Sequence, residues 1–265
     1  MGKLDGKNVL VTGASSGIGQ AIAVRFAQEG ANVAMNYRGD AQEVQQTQAM
    51  VRQARANTSV KDLPVQADVS QEEQVQQMFR QVIESFGSLD VLINNAGIQI
   101  PTPSHETDMA DFDRVLGVNL RGAFLCAREA LRHFVARGRG GIILNNSSVH
   151  QIIPKPLYAS YSISKGGMEN LTRTLALEYA GRGIRVNAVG PGAVVTPINK
   201  NWIDDPKARA EVCSHIPMGR LATAEEIAGV FVFLASDDAS YITGQTIFAC
   251  GGLTLYPEFR DRWAS

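Results

Sequence analysis

The segment that most restricts the fold spans residues 8–36. Asn8-Val9-Leu10-Val11-Thr12 is a short apolar run that ends in a glycine turn, Thr12-Gly13-Ala14-Ser15-Ser16-Gly17-Ile18-Gly19. Ile18, Ala21, Ile22 and Phe26 then recur at helical spacing, Gly30 interrupts them, and Asn32-Val33-Ala34-Met35-Asn36 forms a second apolar run. This is a strand, a helix and a strand, and strands joined by a helical crossover lie parallel.

The alternation continues along the chain. Helices are predicted near 41–56, at Glu72–Phe86, 111–137, 159–180 and Ala224–Ala235, with strands at 63–67, 89–93, Gly141–Asn146, 184–189 and Thr246–Ala249. Apolar strands without alternation belong to a sheet covered by helices on both faces. The expectation is an α/β, doubly wound Rossmann fold: one domain over residues 1–265 with a mainly parallel sheet of about seven strands. The irregular stretch 191–218 holds Pro191, Pro197, Pro206 and Pro217, follows the C-terminal end of a strand, and is expected to be a substrate lid. The Gln-rich segments 42–53 and 71–81 read as solvated helix faces.

Charge narrows the partners. With 25 Lys and Arg against 26 Asp and Glu, the net charge is −1, which gives no field to hold nucleic acid or an anionic membrane. A small molecule is the expected partner. The N-terminus lacks the apolar core of a signal peptide and no run of about 18 apolar residues is present, so a soluble cytoplasmic protein is expected. Cys126, Cys213 and Cys250 are far apart and odd in number, which argues against a disulfide framework or a zinc site, and no metal is expected.

Two motifs carry chemistry. A glycine turn between strand and helix lets backbone N–H groups approach a pyrophosphate, with Gly13, Ser15, Ser16, Gly17, Ile18 and Gly19 as candidates. Tyr161 and Lys165 are four residues apart on one helix face, so the ammonium can stabilise a phenolate and make tyrosine a usable base near neutral pH. At the end of the second strand stand Tyr37 and Arg38, with no carboxylate to repel a ribose 2′-phosphate and a guanidinium suited to it. NADP is expected to be accepted, with dual use of NAD and NADP ranked above strict NAD.

The glycine spacing is G-x-x-x-G-x-G rather than G-x-G-x-x-G. Together with Asn94-Asn95-Ala96-Gly97, Asn119, Ser148, Tyr161-x-x-x-Lys165 and Pro191-Gly192, it resembles the short-chain dehydrogenase/reductases over nearly the whole chain. The resemblance implies that Tyr161 is the catalytic base, that Lys165 also holds the nicotinamide ribose, that Ser148 orients the substrate oxygen, and that Asn119 anchors a proton-relaying water. It further implies that Asp68 and Val69 lie against the adenine, that Asn95, Ala96 and Gly97 support the nicotinamide ribose, and that Pro191, Gly192, Val194 and Thr196 complete the cofactor site, Thr196 at the carboxamide.

Ser147-Ser148-Val149-His150, Pro154-x-Pro156-Leu157, Thr196-Pro197-Ile198-Asn199 and the ending Gly251 to Pro257 are similar to the glucose 1-dehydrogenase group of that family. In that group the sugar is met by residues matching His150 and Asn199, and by an acidic residue where this chain has Gln99. Cys250 departs too, where the group has Asp. Gln99 retains hydrogen bonding to a hydroxyl without a carboxylate's charge. The implied reaction is oxidation of a sugar or polyol hydroxyl, glucose to gluconolactone first, by Asn119, Ser148, Tyr161 and Lys165 with Gln99, His150 and Asn199 around the substrate. The alternatives are a carbonyl reductase such as a β-ketoacyl reductase, disfavoured because Lys200, Lys207, Arg209 and Arg220 are interleaved with Asp204, Asp205 and Glu211, and a silent dinucleotide-binding sensor. The resemblance also implies a homotetramer, with the apolar helix 227–234 and the strand and tail after it as interface.

Overall fold

A computed structural model describes residues 2–57 and 59–255, the side chains of Lys200 and Asn201 excepted. Its seven strands are β1 (Asn8–Val11), β2 (Asn32–Tyr37), β3 (Asp62–Gln66), β4 (Val91–Asn94), β5 (Gly141–Asn146), β6 (Ile184–Pro191) and β7 (Thr246–Ala249). They form one sheet in the order β3-β2-β1-β4-β5-β6-β7, every pair parallel. The helices are α1 (Gly17–Gln28), α2 (Ala41–Ala54), α3 (Glu72–Phe86), α4 (Met109–Leu116), α5 (Ala123–Arg137), α6 (Ala159–Tyr179), α7 (Lys200–Ile203), α8 (Pro206–Ser214) and α9 (Ala224–Ala235).

Strand side chains alternate between two buried layers. Val9, Val11, Val33, Met35 and Ile93 pack with Ile22 and Phe26 of α1, Val44 of α2 and Phe231 of α9. Leu10, Ala34, Leu92 and Ile143 face the other way, against Met78 of α3, Leu125 of α5 and Leu175 of α6. Both faces being covered explains why the strands read as continuous apolar runs.

The chain winds outward from β1 to β3 and then returns to β4 on the other side of β1. The crevice left at the C-terminal ends of β1 and β4 is where such sheets take ligands. One predicted element is built differently: the single helix expected over 111–137 begins at Met109 and is interrupted by a π-helical turn, Gly117–Gly122, between α4 and α5. The strand expected at 89–93 is displaced to Val91–Asn94.

The 191–218 segment is not bare loop. It carries α7 and α8, with Asp205 capping α8 through the Lys207 and Ala208 N–H groups. The α9 run expected to form an interface is largely used within the chain: Ile227, Phe231 and Leu234 are buried, and α9 packs on α1. Tyr256, Pro257 and the rest of the expected interface tail lie outside the described residues. No described helix is long and apolar enough to cross a membrane.

Candidate active site

A cavity of about 1740 Å3 opens at the crevice. It is bordered by Gly13, Ser15, Ser16, Gly17, Ile18 and Gly19 from the first turn, by Tyr37 and Arg38 after β2, by Asp68 and Val69 after β3, and by Asn95, Ala96, Gly97 and Gln99 after β4. Ser148, His150, Tyr161 and Lys165 border it from the β5 side, and Pro191, Gly192, Val194, Thr196 and Asn199 from the segment after β6. Of the catalytic, cofactor and substrate candidates from the sequence, Asn119 is the one that is not on the wall.

The glycine turn is built for an anion. Ser16 is the N-cap of α1 but makes no side-chain cap bond, so the first-turn N–H groups are uncapped at residues that border the cavity. Gly17 has φ +57°, and a Cβ there would lie 3.4 Å from Thr196 Cγ2 across the cavity. A Cβ on Gly19 would sit 2.2 Å from the Gly13 carbonyl oxygen, so α1 approaches the turn this closely only with glycine. These features fit a dinucleotide pyrophosphate held by backbone.

A chain of amides ties this cradle to the lysine. Asn95 Nδ2 donates to the carbonyls of Thr12 and Gly13 at 2.9 Å, and its Oδ1 accepts from Asn146 Nδ2 at 2.8 Å. The Asn146 carbonyl in turn accepts from Lys165 Nζ at 2.7 Å. Lys165 is buried, and burial pushes its pKa down to about 8. Asn146 was not singled out from sequence, because an asparagine at a strand end carries no signal until its partners are known.

Tyr161 is partly buried, and Lys165 Nζ lies 5.5 Å from its ring centroid. Ser148 hydrogen-bonds the phenol, while Ser148 Oγ accepts the His150 N–H at 3.1 Å. The expectation of a depressed phenol pKa is not met by the protein groups by themselves. Burial raises the Tyr161 pKa above the ordinary value, and the Ser148 bond only works against that rise.

His150 Nδ1 lies 2.9 Å from the Ile153 carbonyl, which can only accept, so Nδ1 carries the proton and a neutral ring leaves Nε2 as an acceptor. Burial first, and then the Lys155 charge, lower its pKa. The ring stands edge-on to Tyr161 at 6.2 Å. Tyr158, one turn before Tyr161 and followed four residues on by Ser162 rather than a lysine, packs edge-on to Tyr161 at 6.5 Å and lies under Lys155 Nζ at 4.1 Å.

The other two substrate candidates are tethered. Gln99 Nε2 donates to the Ile198 carbonyl at 3.3 Å, bridging the two sides of the cavity, and Asn199 Nδ2 donates to the Val194 carbonyl at 2.9 Å. The Asn199 amide N–H thus closes its own loop. Asn119 lies beneath the wall, fully buried in the π turn: its Oδ1 accepts the Ile98 N–H at 2.8 Å, and its Nδ2 donates to the Ile98 carbonyl at 2.9 Å and Ser164 Oγ at 3.1 Å.

Two charged wall residues, Glu43 and Lys155, were not singled out from sequence. Glu43, in the first turn of α2, borders the cavity beside Arg38, and a Cβ built on Gly39 would meet both of its carboxylate oxygens at 3.2 Å. An acid at a helix start reads as a complement to the helix dipole, which hid it. Among the described residues no group of three or more His, Cys, Asp or Glu is arranged to hold a metal ion.

A family model described as enoyl-(acyl carrier protein) reductase matches residues 13–254. Glucose 1-dehydrogenase of Gluconobacter oxydans is 52% identical over 98% of this chain and 96% of its own, and 3beta-hydroxysteroid dehydrogenase 1 of Eggerthella lenta is 48% identical over 97% of each. The crystal structure of a gluconate 5-dehydrogenase from Burkholderia cenocepacia, in complex with NADP and tartrate, superposes with a TM-score of 0.88 at 32% identity, covering 95% of this chain and 96% of that one. With a phosphate cradle, a buried lysine and a serine-bonded tyrosine in one crevice, the chain belongs to the short-chain dehydrogenase/reductase family and is an NAD(P)-dependent dehydrogenase.

Proposed function

We propose that the protein oxidises a sugar or polyol hydroxyl, with glucose to gluconolactone as the leading reaction, and that it uses both NADP and NAD. The observation that carries this is the Ser148, Tyr161 and Lys165 group, joined through Asn146 and Asn95 to the glycine turn. Tyr161 takes the hydroxyl proton, and Ser148 donates to the substrate oxygen to orient it. Lys165 holds the nicotinamide ribose and keeps a positive charge near the phenol. When bound, the oxidised nicotinamide supplies the hydride acceptor and a second positive charge that favours phenolate.

Asn119 keeps the 97–99 loop against α6, where Gln99 and the neutral His150 offer acceptors to sugar hydroxyls. At the far end of the cofactor cavity, Tyr37 and Asp68 flank the adenosine and Arg38 favours the 2′-phosphate. The protein is further proposed to be cytoplasmic and homotetrameric. Phe124 of α5 and Ile163 and Leu177 of α6 are exposed apolar side chains on helices covering one sheet face, which supports association there. The 191–218 segment, with α7 and α8, is proposed as the lid.

A specific observation favours a second substrate class. Ile152 and Ile198 border the cavity while about half exposed, and Trp202, Leu253 and Leu255 border it as well, so its mouth suits a larger apolar secondary alcohol of the kind acted on by the hydroxysteroid relative. Nicotinamide absorbance, followed with glucose, other aldoses, polyols and a 3β-hydroxysteroid, tests both readings. Turnover of the steroid without any sugar would sink the first.

A further inference from the structure

We infer that Glu43 is a second selector of the cofactor, an acidic counterweight to Arg38 that holds the enzyme at dual use of NAD and NADP; this rests on the proposed placement of the adenosine beside Tyr37 and Arg38. The two side chains reach the same end of the cavity from different elements, Arg38 from the residue after β2 and Glu43 from the first turn of α2. Both are exposed.

Their charges remain available to a ligand. Among the described residues neither side chain has a hydrogen-bonding or ion-pair partner, and they do not pair with one another. The neighbouring acid, Asp40, is engaged in capping α2 through the Gln42 N–H at 3.0 Å. Gly39 lets the Glu43 carboxylate lie close to the backbone that follows Arg38, since a Cβ there would meet both oxygens at 3.2 Å.

The two charges act in opposite senses on the same group. A 2′-phosphate is attracted by the guanidinium and repelled by the carboxylate, whereas a free ribose hydroxyl can donate to the carboxylate. At separations of several ångströms near the surface, a unit charge shifts phosphate affinity by about five- to tenfold. Removal of either group therefore moves selectivity, in opposite directions.

The test is equilibrium binding of NADPH and NADH by calorimetry, at low and high salt, to the wild type, Glu43→Gln and Arg38→Ala. Glu43→Gln should tighten NADPH relative to NADH about five- to tenfold, with the difference shrinking in high salt. Arg38→Ala should weaken NADPH relative to NADH by a similar factor. If Arg38→Ala shifts the ratio and Glu43→Gln does not, the selector role of Glu43 is refuted and the cofactor placement stands. If neither variant shifts it, the placement falls and the inference with it. Glu43→Asp, which keeps the charge on a shorter stem, should give a ratio nearer the wild type than the glutamine variant does.

Discussion

Lys165 is held under two opposing demands. Its ammonium is fixed 2.7 Å from the Asn146 carbonyl, where a base needs positive charge beside it, yet burial drives its pKa from an ordinary 10.5 to about 8. The unfolded chain keeps that proton up to the higher value and the folded chain only to the lower, so between them unfolding takes up a proton and stability rises with pH. The burial penalty is fully present below about pH 8 and is relieved towards pH 10.5. In Lys165→Met this titration is gone. Chemical denaturation of both proteins should show the wild type gaining on the variant by up to about 3 kcal/mol from pH 7 to pH 10. A constant difference across that range would mean that the lysine titrates normally in the fold.

The tyrosine prediction follows from the same neighbourhood. Burial holds Tyr161 protonated in the protein by itself, so absorbance titration without cofactor should place phenolate formation above the ordinary tyrosine range. Tyr161→Phe should leave cofactor binding nearly intact and lower kcat about a thousandfold. Retention of turnover near the wild-type value would remove Tyr161 from the role of base. Both residues were visible in the sequence because a four-residue spacing fixes a shared helix face. The direction of the phenol shift was not, since burial outweighs the Ser148 bond and depends on what the fold packs around the ring.

Among the elements, the π turn at Gly117–Gly122 does what an uninterrupted helix does not: it gives Asn119 a buried position from which one amide satisfies both Ile98 backbone groups and reaches Ser164. Ser164 Oγ passes the link to the Tyr161 carbonyl at 2.6 Å. Asn119→Ala leaves the Ile98 N–H and carbonyl without this partner at a half-buried site, and urea unfolding should show a loss of about 1–3 kcal/mol. The loop that carries Gln99 would loosen with it, so KM for sugar should rise in the same variant. Unchanged stability would show that this amide is dispensable. The sequence made the helix at 111–137 legible through its apolar spacing, but an extra residue in one turn barely disturbs that pattern, and so the π turn did not register. The strands were easier because helical crossovers leave little choice but a parallel sheet. Glu43 and Asn146 were the hardest, each having an ordinary local explanation: Asn146 gains significance from Asn95, far along the chain, and Glu43 from the cavity it borders.

At the scale of the whole molecule, an apolar helix in sequence does not distinguish burial within a chain from burial between chains. The α9 run illustrates this, since Ile227, Phe231 and Leu234 are consumed by packing on α1. The outer face of α5 and α6 differs: Phe124 is 44% exposed, Ile163 51% and Leu177 88%, on helices whose inner faces already fill the core. A second copy of the chain is the occupant proposed for that face, and Leu177 is the place to test it because it contributes little to the fold of one chain. An exposed substitution such as Leu177→Glu should alter the stability of the isolated chain by no more than about 0.5 kcal/mol. Across a self-complementary interface, however, it buries a carboxylate from each copy without a partner. Sedimentation velocity should therefore report a smaller assembly for Leu177→Glu at micromolar concentration, with a far-ultraviolet circular dichroism spectrum like that of the wild type. An unchanged sedimentation coefficient would exclude this face as the interface and direct attention to the surface that α9 leaves exposed around Phe233.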